Sequence, residues 1–451
     1  MRAFHVVSAL ALIATSVVAC HTSVSSTPAP AVSAPTPIGS ATLSAEESRL
    51  RDYVRANHER DVALLERAVN ISSGTQNLGG VRRVGDLFAN ELTALGFTTR
   101  WAEMPASMHR AGHLIAERHG PGGSAPRLLL IGHLDTVFEG EGQRFVREDT
   151  IARGAGTSDM KGGDVAMIAA LRALNAAGTL ANAQITVVMT GDEESTGSPL
   201  EVARRDLIDA AKRSDVALAF EGGRAARVSI ARRGASGWTL NVRARQGHSA
   251  GVFSPGSGYG AVYELARILD TFRRDLSGDP TLTFNPGLVA GGTTVQRDSS
   301  GTVLTAAGKT NIISPVAVAQ GDLRFLREVQ KDSARARMRA IVAEHLNGAE
   351  ADITFRDSYP AMPVTAAGSA LLARFDAVSR ALGYGPVESD APESRGAGDI
   401  SFVAPYVAGM DGLGVSGRGA HSPEESVVLS SLTMAGERAA VLMHRLITAA
   451  R

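Results

Sequence analysis

Residues 127–136 read RLLLIGHLDT, and this stretch indicates how the chain is built. Its first part, residues 127–131, is short and apolar, which is typical of a strand buried on both faces of a sheet. His133 and Asp135 follow directly, and side chains two positions apart near a strand end point the same way. Because open α/β sheets place their ligands at the carboxyl ends of strands, the stretch predicts a buried strand with a candidate site beside it.

Strands and helices alternate around this stretch. Apolar runs typical of buried strands recur at residues 184–190 and 216–220, and residues 163–177 form an alanine-rich helical pattern. Helical spacing also precedes Gly96, a residue that suits a helix C-cap. The alternation predicts an α/β domain with a central, mostly parallel sheet flanked by helices.

The pattern changes from about residue 237. The predicted elements then run strand, helix, strand, strand, helix, strand, over residues 238–244, 259–272, 281–289, 311–325, 333–346 and 351–356. This βαββαβ order is that of a ferredoxin-like domain. We therefore expect residues 236–357 to form a smaller domain inserted between two segments of the α/β domain, residues 45–235 and 358–451.

The N-terminal segment predicts export. Residues 6–19 form an apolar run behind Arg2 and His5, too short to span a bilayer comfortably but of the length of a signal-peptide core. The run continues into VVAC at residues 17–20, which resembles the bacterial lipoprotein cleavage box, and Cys20 is the only cysteine in the chain. The resemblance implies that residues 1–20 are a signal peptide and that Cys20 is lipidated. A simple secretory signal with an incidental cysteine is the alternative.

Residues 21–44 have the composition of a linker. They are rich in Ser, Thr, Pro and Ala and contain no Asp, Glu, Lys or Arg, which predicts a flexible tether between a membrane and the folded domains. We therefore expect a cell-envelope lipoprotein, attached to the membrane by its lipid only and facing the periplasm. Lys and Arg together number 46, as do Asp and Glu, so the net charge gives no reason to expect nucleic acid binding.

Further acidic and histidine motifs occur at the ends of predicted strands and beside glycines. They are GAGTSDMKGG with Asp159, GDEES with Glu193 and Glu194, FEGG with Glu221, and GRGAHSPEE with His421. Taken singly, each has an ordinary structural interpretation, such as a helix cap, a solvated acidic turn or a structural histidine. Adjacent carboxylates behind a buried strand nevertheless repel each other unless cations neutralise them.

In their order along the chain, these motifs resemble the M20 metallopeptidase family. That family includes glutamate carboxypeptidases, aminoacylases, acetylornithine deacetylases and succinyl-diaminopimelate desuccinylases. The resemblance covers the chain after the tether, and no ligand position is lost. It implies an α/β catalytic domain interrupted by a βαββαβ lid that also mediates dimerisation, and hence a homodimer.

The resemblance also implies a role for each motif residue. Two divalent metal ions are expected, Zn²⁺ first, with Co²⁺ or Mn²⁺ as alternatives that nitrogen and oxygen ligands also suit. The implied ligands are Asp159 as the bridge between both ions, His133 and Glu221 at one site, and Glu194 and His421 at the other. Asp135 would orient His133, and Glu193 would be the general base.

The inserted domain carries further motif residues. Residues 246–251 read QGHSAG, and by resemblance His248 would reach the partner subunit's active site and stabilise the oxyanion. Arg324 and Asn311 match residues that hold a substrate carboxylate, for which an arginine fork is suited. A turn histidine and a surface strand arginine are the alternatives. After the insertion, Asp399 matches a position near the metal loops, where we expect a structural role.

The predicted function is hydrolysis of an amide or peptide bond beside a carboxylate, by a di-zinc enzyme with a metal-bridging water. A carboxypeptidase or dipeptidase of glutamate carboxypeptidase type is favoured, because an envelope location suits peptide scavenging. An N-acyl-amino-acid deacylase of acetylornithine deacetylase or aminoacylase type is the alternative, since its substrates also carry a carboxylate. An inactive peptide-binding lipoprotein is a more distant alternative, because no ligand or base is missing.

Overall fold

A computed structural model describes residues 42–121, 125–140, 143–298, 301–394 and 396–449. The predicted signal peptide, Cys20 and nearly all of the predicted tether lie outside the described residues, so these assignments stay predictions. Among the helices that the structure describes, none combines the length and the apolar character needed to cross a membrane.

Helices and short strands alternate along the described chain. The helices are α1 (Ala45–Ala56), α2 (His58–Val69), α3 (Leu78–Ala94), α4 (Lys161–Ala176), α5 (Leu200–Ala203), α6 (Arg205–Lys212), α7 (Ala261–Leu276), α8 (Glu328–Ala343), α9 (Ala366–Ala381), α10 (Ile400–Val403) and α11 (Leu429–Thr448). The strands are β1 (Thr98–Ala102), β2 (His113–His119), β3 (Arg127–His133), β4 (Val146–Glu148), β5 (Ile151–Arg153), β6 (Gln184–Thr190), β7 (Val216–Ala219), β8 (Arg227–Val228), β9 (Gly234–Ala244), β10 (Gly247–His248), β11 (Thr283–Gly292), β12 (Thr294–Arg297), β13 (Leu304–Ala307), β14 (Ile312–Ile313), β15 (Val316–Phe325), β16 (Ala349–Asp357), β17 (Glu388–Ser389), β18 (Gly409–Met410), β19 (Gly417–Arg418) and β20 (Ser426–Val428).

The main sheet has the strand order β1-β2-β6-β3-β7-β18. Strands β6, β3, β7 and β18 are parallel to one another, whereas β1 and β2 join one edge in antiparallel pairing. The predicted α/β class is confirmed, with a sheet that is mixed because of these two edge strands. The parallel strands bring the ends of β6, β3 and β7 to one edge, where the site residues lie.

Helices cover this sheet closely enough to bury its central strand on both faces. Leu128, Leu129 and Leu130 of β3 are fully buried. Helix α4 is buried from Lys161 to Leu174, because α1, α2 and α11 pack around it. Truncating one of these leucines to alanine would cost ~2–5 kcal/mol, the range for large-to-small changes in a packed core. The strand that ends in His133 is thus held by a tightly packed core.

Residues 234–357 form a second sheet with two helices, which we call the insert. Its strand order is β11-β15-β9-β16, and all pairs are antiparallel. Helices α7 and α8 pack against one face around a small core, in which Trp238 meets Phe272 edge to face with 6.2 Å between ring centroids. The proposed roles of this segment as a lid and in dimerisation stay predictions.

The chain enters and leaves the insert through two paired segments. Arg232 pairs with Met362 in an isolated antiparallel bridge. The amide of Ala235 donates to the carbonyl of Tyr359 at 2.8 Å, and the amide of Ser358 donates to the carbonyl of Ala235 at 3.2 Å. The two segments therefore lie side by side, and Tyr359 lies on the returning segment.

Candidate metal centre

The predicted site residues converge at the carboxyl ends of three neighbouring parallel strands. His133 is the last residue of β3, Glu193 and Glu194 follow the end of β6, and Glu221 follows β7. Parallel register places His133 opposite Thr190 of β6, so these strand ends lie side by side. The strands fold this way because each is a short run of mostly apolar residues.

Two groups of donor atoms share Asp159, which lies just before α4. In the first group, His133 Nε2 is 3.3 Å from Asp159 Oδ1 and 3.6 Å from Glu221 Oε1. In the second group, His421 Nε2 is 3.2 Å from Asp159 Oδ2 and 3.1 Å from Glu194 Oε2. Within each group the candidate ligand atoms lie within 4.8 Å of one another. The arrangement matches two adjacent sites with one bridging carboxylate.

The donor chemistry fits divalent cations. Carboxylate oxygens and imidazole nitrogens are ligands for Zn²⁺ and similar ions. Glu194 Oε1 is buried and has no hydrogen-bond partner among the described residues, which leaves a polar atom available to a ligand. The neighbouring Asp159 and Glu194 raise the pKa of His421 to about 10, which shows that the cluster favours added positive charge. Burial, together with the charge of Asp159, raises the pKa of Glu221 to about 8.

Asp135 holds both His133 and the loop after β6. The ring nitrogen His133 Nδ1 is 3.0 Å from the carbonyl oxygen of Asp135 and 3.5 Å from its Oδ1. A proton on Nδ1 would therefore leave Nε2 free to face Asp159 and Glu221. The Asp135 carboxylate also accepts from the amides of Glu193 and Glu194, at 3.0 and 3.1 Å, and from the Thr75 hydroxyl at 2.6 Å.

Glu425 fixes the loop that carries Asp159. Its carboxylate accepts from the amides of Gly156, Ser158 and Asp159, at 2.9, 2.8 and 3.0 Å. The sequence shows this residue in the same motif as His421 but assigns it no role. The only local indication in the sequence is that Glu425 is an acidic residue shortly after His421. The amides that it binds lie more than 260 positions earlier in the chain.

Glu193 lies beside the two donor groups but belongs to neither of them among the described residues. Burial raises its pKa well above the ordinary range, and the charge of Glu221 raises it further. Its carboxylate Oε1 is 3.3 Å from the Tyr359 hydroxyl. A carboxylate with a raised pKa next to candidate metal ligands is suited to accept and return a proton.

The cavity over the donor groups has a volume of about 430 Å³. Its lining combines the acidic residues with Arg224, Arg232 and Arg418. Arg232 forms an ion pair with Asp411 at 2.6 Å, and Arg224 forms one with Asp390 at 3.1 Å. Arg418 is exposed and forms no ion pair with a residue that the structure describes. The sequence analysis assigned these arginines no role, although Arg418 lies within the GRGAHSPEE motif of His421.

Three predicted residues of the insert lie outside this cavity lining. His248 is exposed, and its Nδ1 accepts from the amide of Ala250 at 3.1 Å. Asn311 is near it, since its carbonyl accepts from the Ser249 amide at 2.9 Å. Arg324 forms an ion pair with Asp322 at 2.7 Å. Their proposed roles in oxyanion and carboxylate binding stay predictions.

The sequence model of peptidase family M20/M25/M40 matches residues 129–445, well over half of the chain. The chain belongs to this family. The match contains every candidate ligand named above, so this M20 protein is a metallohydrolase, as its motifs predicted.

Relatives of this M20 chain include enzymes with different substrates. It is 29% identical over 365 residues to a succinyl-diaminopimelate desuccinylase of Acidiphilium cryptum, covering 78% of this chain and 90% of that protein. It is 30% identical over 282 residues to carboxypeptidase G2 of a Pseudomonas species, covering 60% of this chain and 61% of that protein. The relatives therefore support the reaction class and leave the acyl group open.

Solved structures share the fold. Aminopeptidase PepT from Bacillus cereus superimposes with a TM-score of 0.69 at 18% identity, covering 86% of this chain and 99% of that one. The YXEP protein of Bacillus subtilis, a dinuclear metal binding peptidase from the M20 family, has a TM-score of 0.60 at 13% identity, with coverage of 87% and 99%.

Proposed function

We propose that this chain is a di-zinc hydrolase that cleaves an amide or peptide bond beside a carboxylate, as a carboxypeptidase or dipeptidase of glutamate carboxypeptidase type. One observation carries the proposal: two donor groups share Asp159, and a further carboxylate, Glu193, lies free beside them. Separate metal ligands and a free base suit metal-assisted hydrolysis of an unactivated amide.

Each ligand has a place in this proposal. His133 and Glu221 would hold one ion, Glu194 and His421 the other, and Asp159 both. The dinuclear character of the Bacillus subtilis relative supports two ions, and the donor set suits zinc, with cobalt or manganese as alternatives. When bound, such ions polarise the scissile carbonyl and acidify a water.

Glu193 would move the proton. It would accept a proton from the attacking water and later deliver it to the leaving amine. Its buried position favours this exchange, because burial brings a carboxylate pKa towards the pKa of its reaction partners. Glu193 must remain uncoordinated for this, which agrees with its place outside both donor groups.

The cavity supports an anionic substrate. Arg418 lines the cavity three residues before His421, and a guanidinium binds a carboxylate with two parallel hydrogen bonds. A substrate carboxylate beside the scissile bond would bind the guanidinium of Arg418. An N-acyl-amino-acid deacylase is the second candidate, favoured by the desuccinylase relative, whose name specifies removal of an acyl group.

A substrate panel separates these two candidates. The purified chain would be assayed on dipeptides and N-acyl amino acids, with and without a chelator and with zinc added back. Faster cleavage of peptides would support the carboxypeptidase, whereas faster cleavage of acyl amino acids would support the deacylase. No chelator-sensitive cleavage of either class, by a chain with both metals bound, would contradict the proposed function.

We further propose a homodimer formed through the insert. Phe253, Tyr259 and Tyr263 form an exposed aromatic patch, with ring centroids 5.5 and 5.3 Å apart. Val289 is 55% exposed on β11, an edge strand of the insert sheet. Exposed apolar patches of this kind mark protein contacts. A monomer by light scattering at micromolar concentration would contradict the dimer and the oxyanion role of His248.

The envelope location is a separate proposal. It rests on the VVAC motif and the uncharged tether, both of which lie mostly before the first described residue. Membrane fractionation of the chain and of Cys20→Ala tests it. The lipoprotein assignment predicts that the native chain sediments with membranes and that the variant does not.

A further inference from the structure

Tyr359 touches the loop that carries the proposed general base. Its hydroxyl is 2.8 Å from the carbonyl oxygen of Glu193, 3.3 Å from Glu193 Oε1 and 3.0 Å from Thr196 Oγ1. Its ring packs on Phe402 with 5.0 Å between centroids. Neither the sequence motifs nor the family resemblance assigned this residue a role.

The donors and acceptors around Tyr359 fix the direction of each hydrogen bond. The backbone carbonyl oxygen of Glu193 can only accept, so the single hydroxyl proton of Tyr359 points to Glu193, with the carbonyl at 2.8 Å as the nearer acceptor and Oε1 at 3.3 Å as the second. Arg204 Nη2 lies 3.3 Å from Thr196 Oγ1, and a guanidinium only donates. Thr196 therefore accepts from Arg204 and donates its own proton to Tyr359. The donors of Arg204 at one end and the acceptors of Glu193 at the other therefore give the same order of donation, from Arg204 to Thr196, Tyr359 and Glu193.

The far end of this chain of bonds is rigid. Arg204 is fully buried, and it donates to Asp192 at 2.5 Å and to Asp399 at 2.7 Å. A fully paired, buried guanidinium is held in a single orientation, and its hydrogen bond to Thr196 fixes the position of the Thr196 hydroxyl. Tyr359 itself lies two residues after β16, on the segment by which the chain returns from the insert.

We propose that Tyr359 is a positioning residue for Glu193, which holds this carboxylate in the cavity and apart from the two donor groups. The inference rests on the proposed function, in which Glu193 is the base. Tyr359 acts on the reaction only through Glu193 and through the loop that carries it. The segment by which the chain leaves the insert thereby contributes to catalysis through Tyr359.

The test is Tyr359→Phe, which removes the hydroxyl and keeps the ring against Phe402. We expect kcat to fall about tenfold, the effect of one lost hydrogen bond on the transition state, with KM and bound metal unchanged. Tyr384→Phe is the matched control, because it removes a hydroxyl that donates to the Glu437 carboxylate at 2.9 Å, within another part of the fold. That variant should keep the native kcat.

Thr196 supplies a second, independent variant. Thr196→Val removes the donor to Tyr359 and should lower kcat in the same direction, whereas Thr196→Ser keeps the hydroxyl and should restore it. Native kcat in both Tyr359→Phe and Thr196→Val would overturn the inference, as would a loss of bound metal or an equal loss of kcat in Tyr384→Phe. Failure of the proposed function is a different result, namely no chelator-sensitive hydrolysis by the unaltered chain.

Discussion

Two acidic clusters lie at the same edge of the main sheet, and they are satisfied in different ways. In one cluster, Asp192 and Asp399 share the buried Arg204, and their remaining oxygens accept from the amide of Gly197 at 2.8 Å and the hydroxyl of Thr190 at 2.6 Å. Every carboxylate oxygen of this cluster therefore has a donor within the protein. We call it the arginine cluster.

Among the described residues, no arginine or lysine forms an ion pair with the carboxylates of the second cluster. Asp159, Glu194 and Glu221 face the imidazoles of His133 and His421, and Glu194 Oε1 has no partner among the described residues. Three carboxylates here face only two imidazoles, and incomplete compensation of buried charge is unfavourable, so the cluster favours a cation from outside. The two clusters thus differ as a structural ion pair differs from a candidate metal site. The arginine cluster has a donor for every carboxylate oxygen, whereas the second cluster keeps an oxygen without a donor among the described residues.

Metal removal should give the largest difference between the two clusters. Chelation should abolish hydrolysis, and added Zn²⁺ should restore it, because the ligands alone cannot activate water. The metal should also raise the free energy of unfolding, by ~2.7 kcal/mol at one hundred times its Kd. Calorimetry and activity assays on the same sample measure both effects. Full activity of a chain shown to be free of metal would contradict the assignment.

Breaking the arginine cluster should destabilise the fold in a way that metal does not repair. Arg204→Met would leave Asp192 and Asp399 buried without their partner, and we expect a loss of ~3–5 kcal/mol. Urea unfolding with and without Zn²⁺ measures the change. The control is Arg418→Met, a cavity arginine that is exposed and should leave stability within ~0.5 kcal/mol. Equal stability of the two variants would remove the contrast between the clusters.

Glu193→Gln should separate metal binding from turnover. We expect both ions to remain, because Glu193 belongs to neither donor group, while kcat falls by ~10²-fold or more through loss of the base. Metal analysis and steady-state kinetics on one preparation provide the measurement. Near-native kcat with both ions bound would refute the role of Glu193.

Asp135→Asn should weaken the metal site more modestly. Asp135 supports His133 and the amides of Glu193 and Glu194 from behind, and losing such a partner lowers metal affinity or activity by ~10–100-fold. Competition with a chelator measures the affinity. An unchanged affinity would mean that the backbone carbonyl of Asp135 alone orients the histidine.

The smallest predicted effect is a pH dependence of the metal-free chain. In that state Asp159 and Glu194 raise the pKa of His421 to about 10, above its unfolded value of ~6.5. The protonated ring therefore contributes stability that is fully present below pH ~6.5 and is lost as the pH rises towards 10. Thermal unfolding of the chelated chain and of His421→Gln should show a steeper decline in the native sequence. Parallel curves would contradict this.

Sequence alone predicted much of the fold because buried strands are continuous apolar runs. Residues 184–190 were predicted as a strand with the bounds that β6 has, and the helix predicted over residues 163–177 is α4, Lys161–Ala176. The two edge strands, β1 and β2, escaped prediction because their runs are mixed and polar. Helix α11 was not predicted either. It is buried mainly through its packing against α4, which the local sequence does not show.

The sequence predicted those site residues that lie in short motifs. It did not predict the residues that reach the site only through the fold. The candidate ligands lie in short motifs with glycine or adjacent acids, and the structure brings them together. Tyr359 and Arg204 support these motifs from distant parts of the chain, and nothing in their local sequence indicates the contact. Glu425 lies in the His421 motif, but the motif does not show that its partners are the amides near Asp159. Partner choice across the fold depends on tertiary packing, which a single sequence does not display.

Anomalous X-ray diffraction at the zinc edge, on crystals of the metal-loaded chain, tests the two-metal site most directly. We predict two peaks about 3.5–4 Å apart, the spacing of two-metal hydrolytic sites. One peak should lie among His133, Asp159 and Glu221, the other among Asp159, Glu194 and His421, with Glu193 uncoordinated. A single peak, peaks elsewhere in the chain, or an ion coordinated by Glu193 would contradict it.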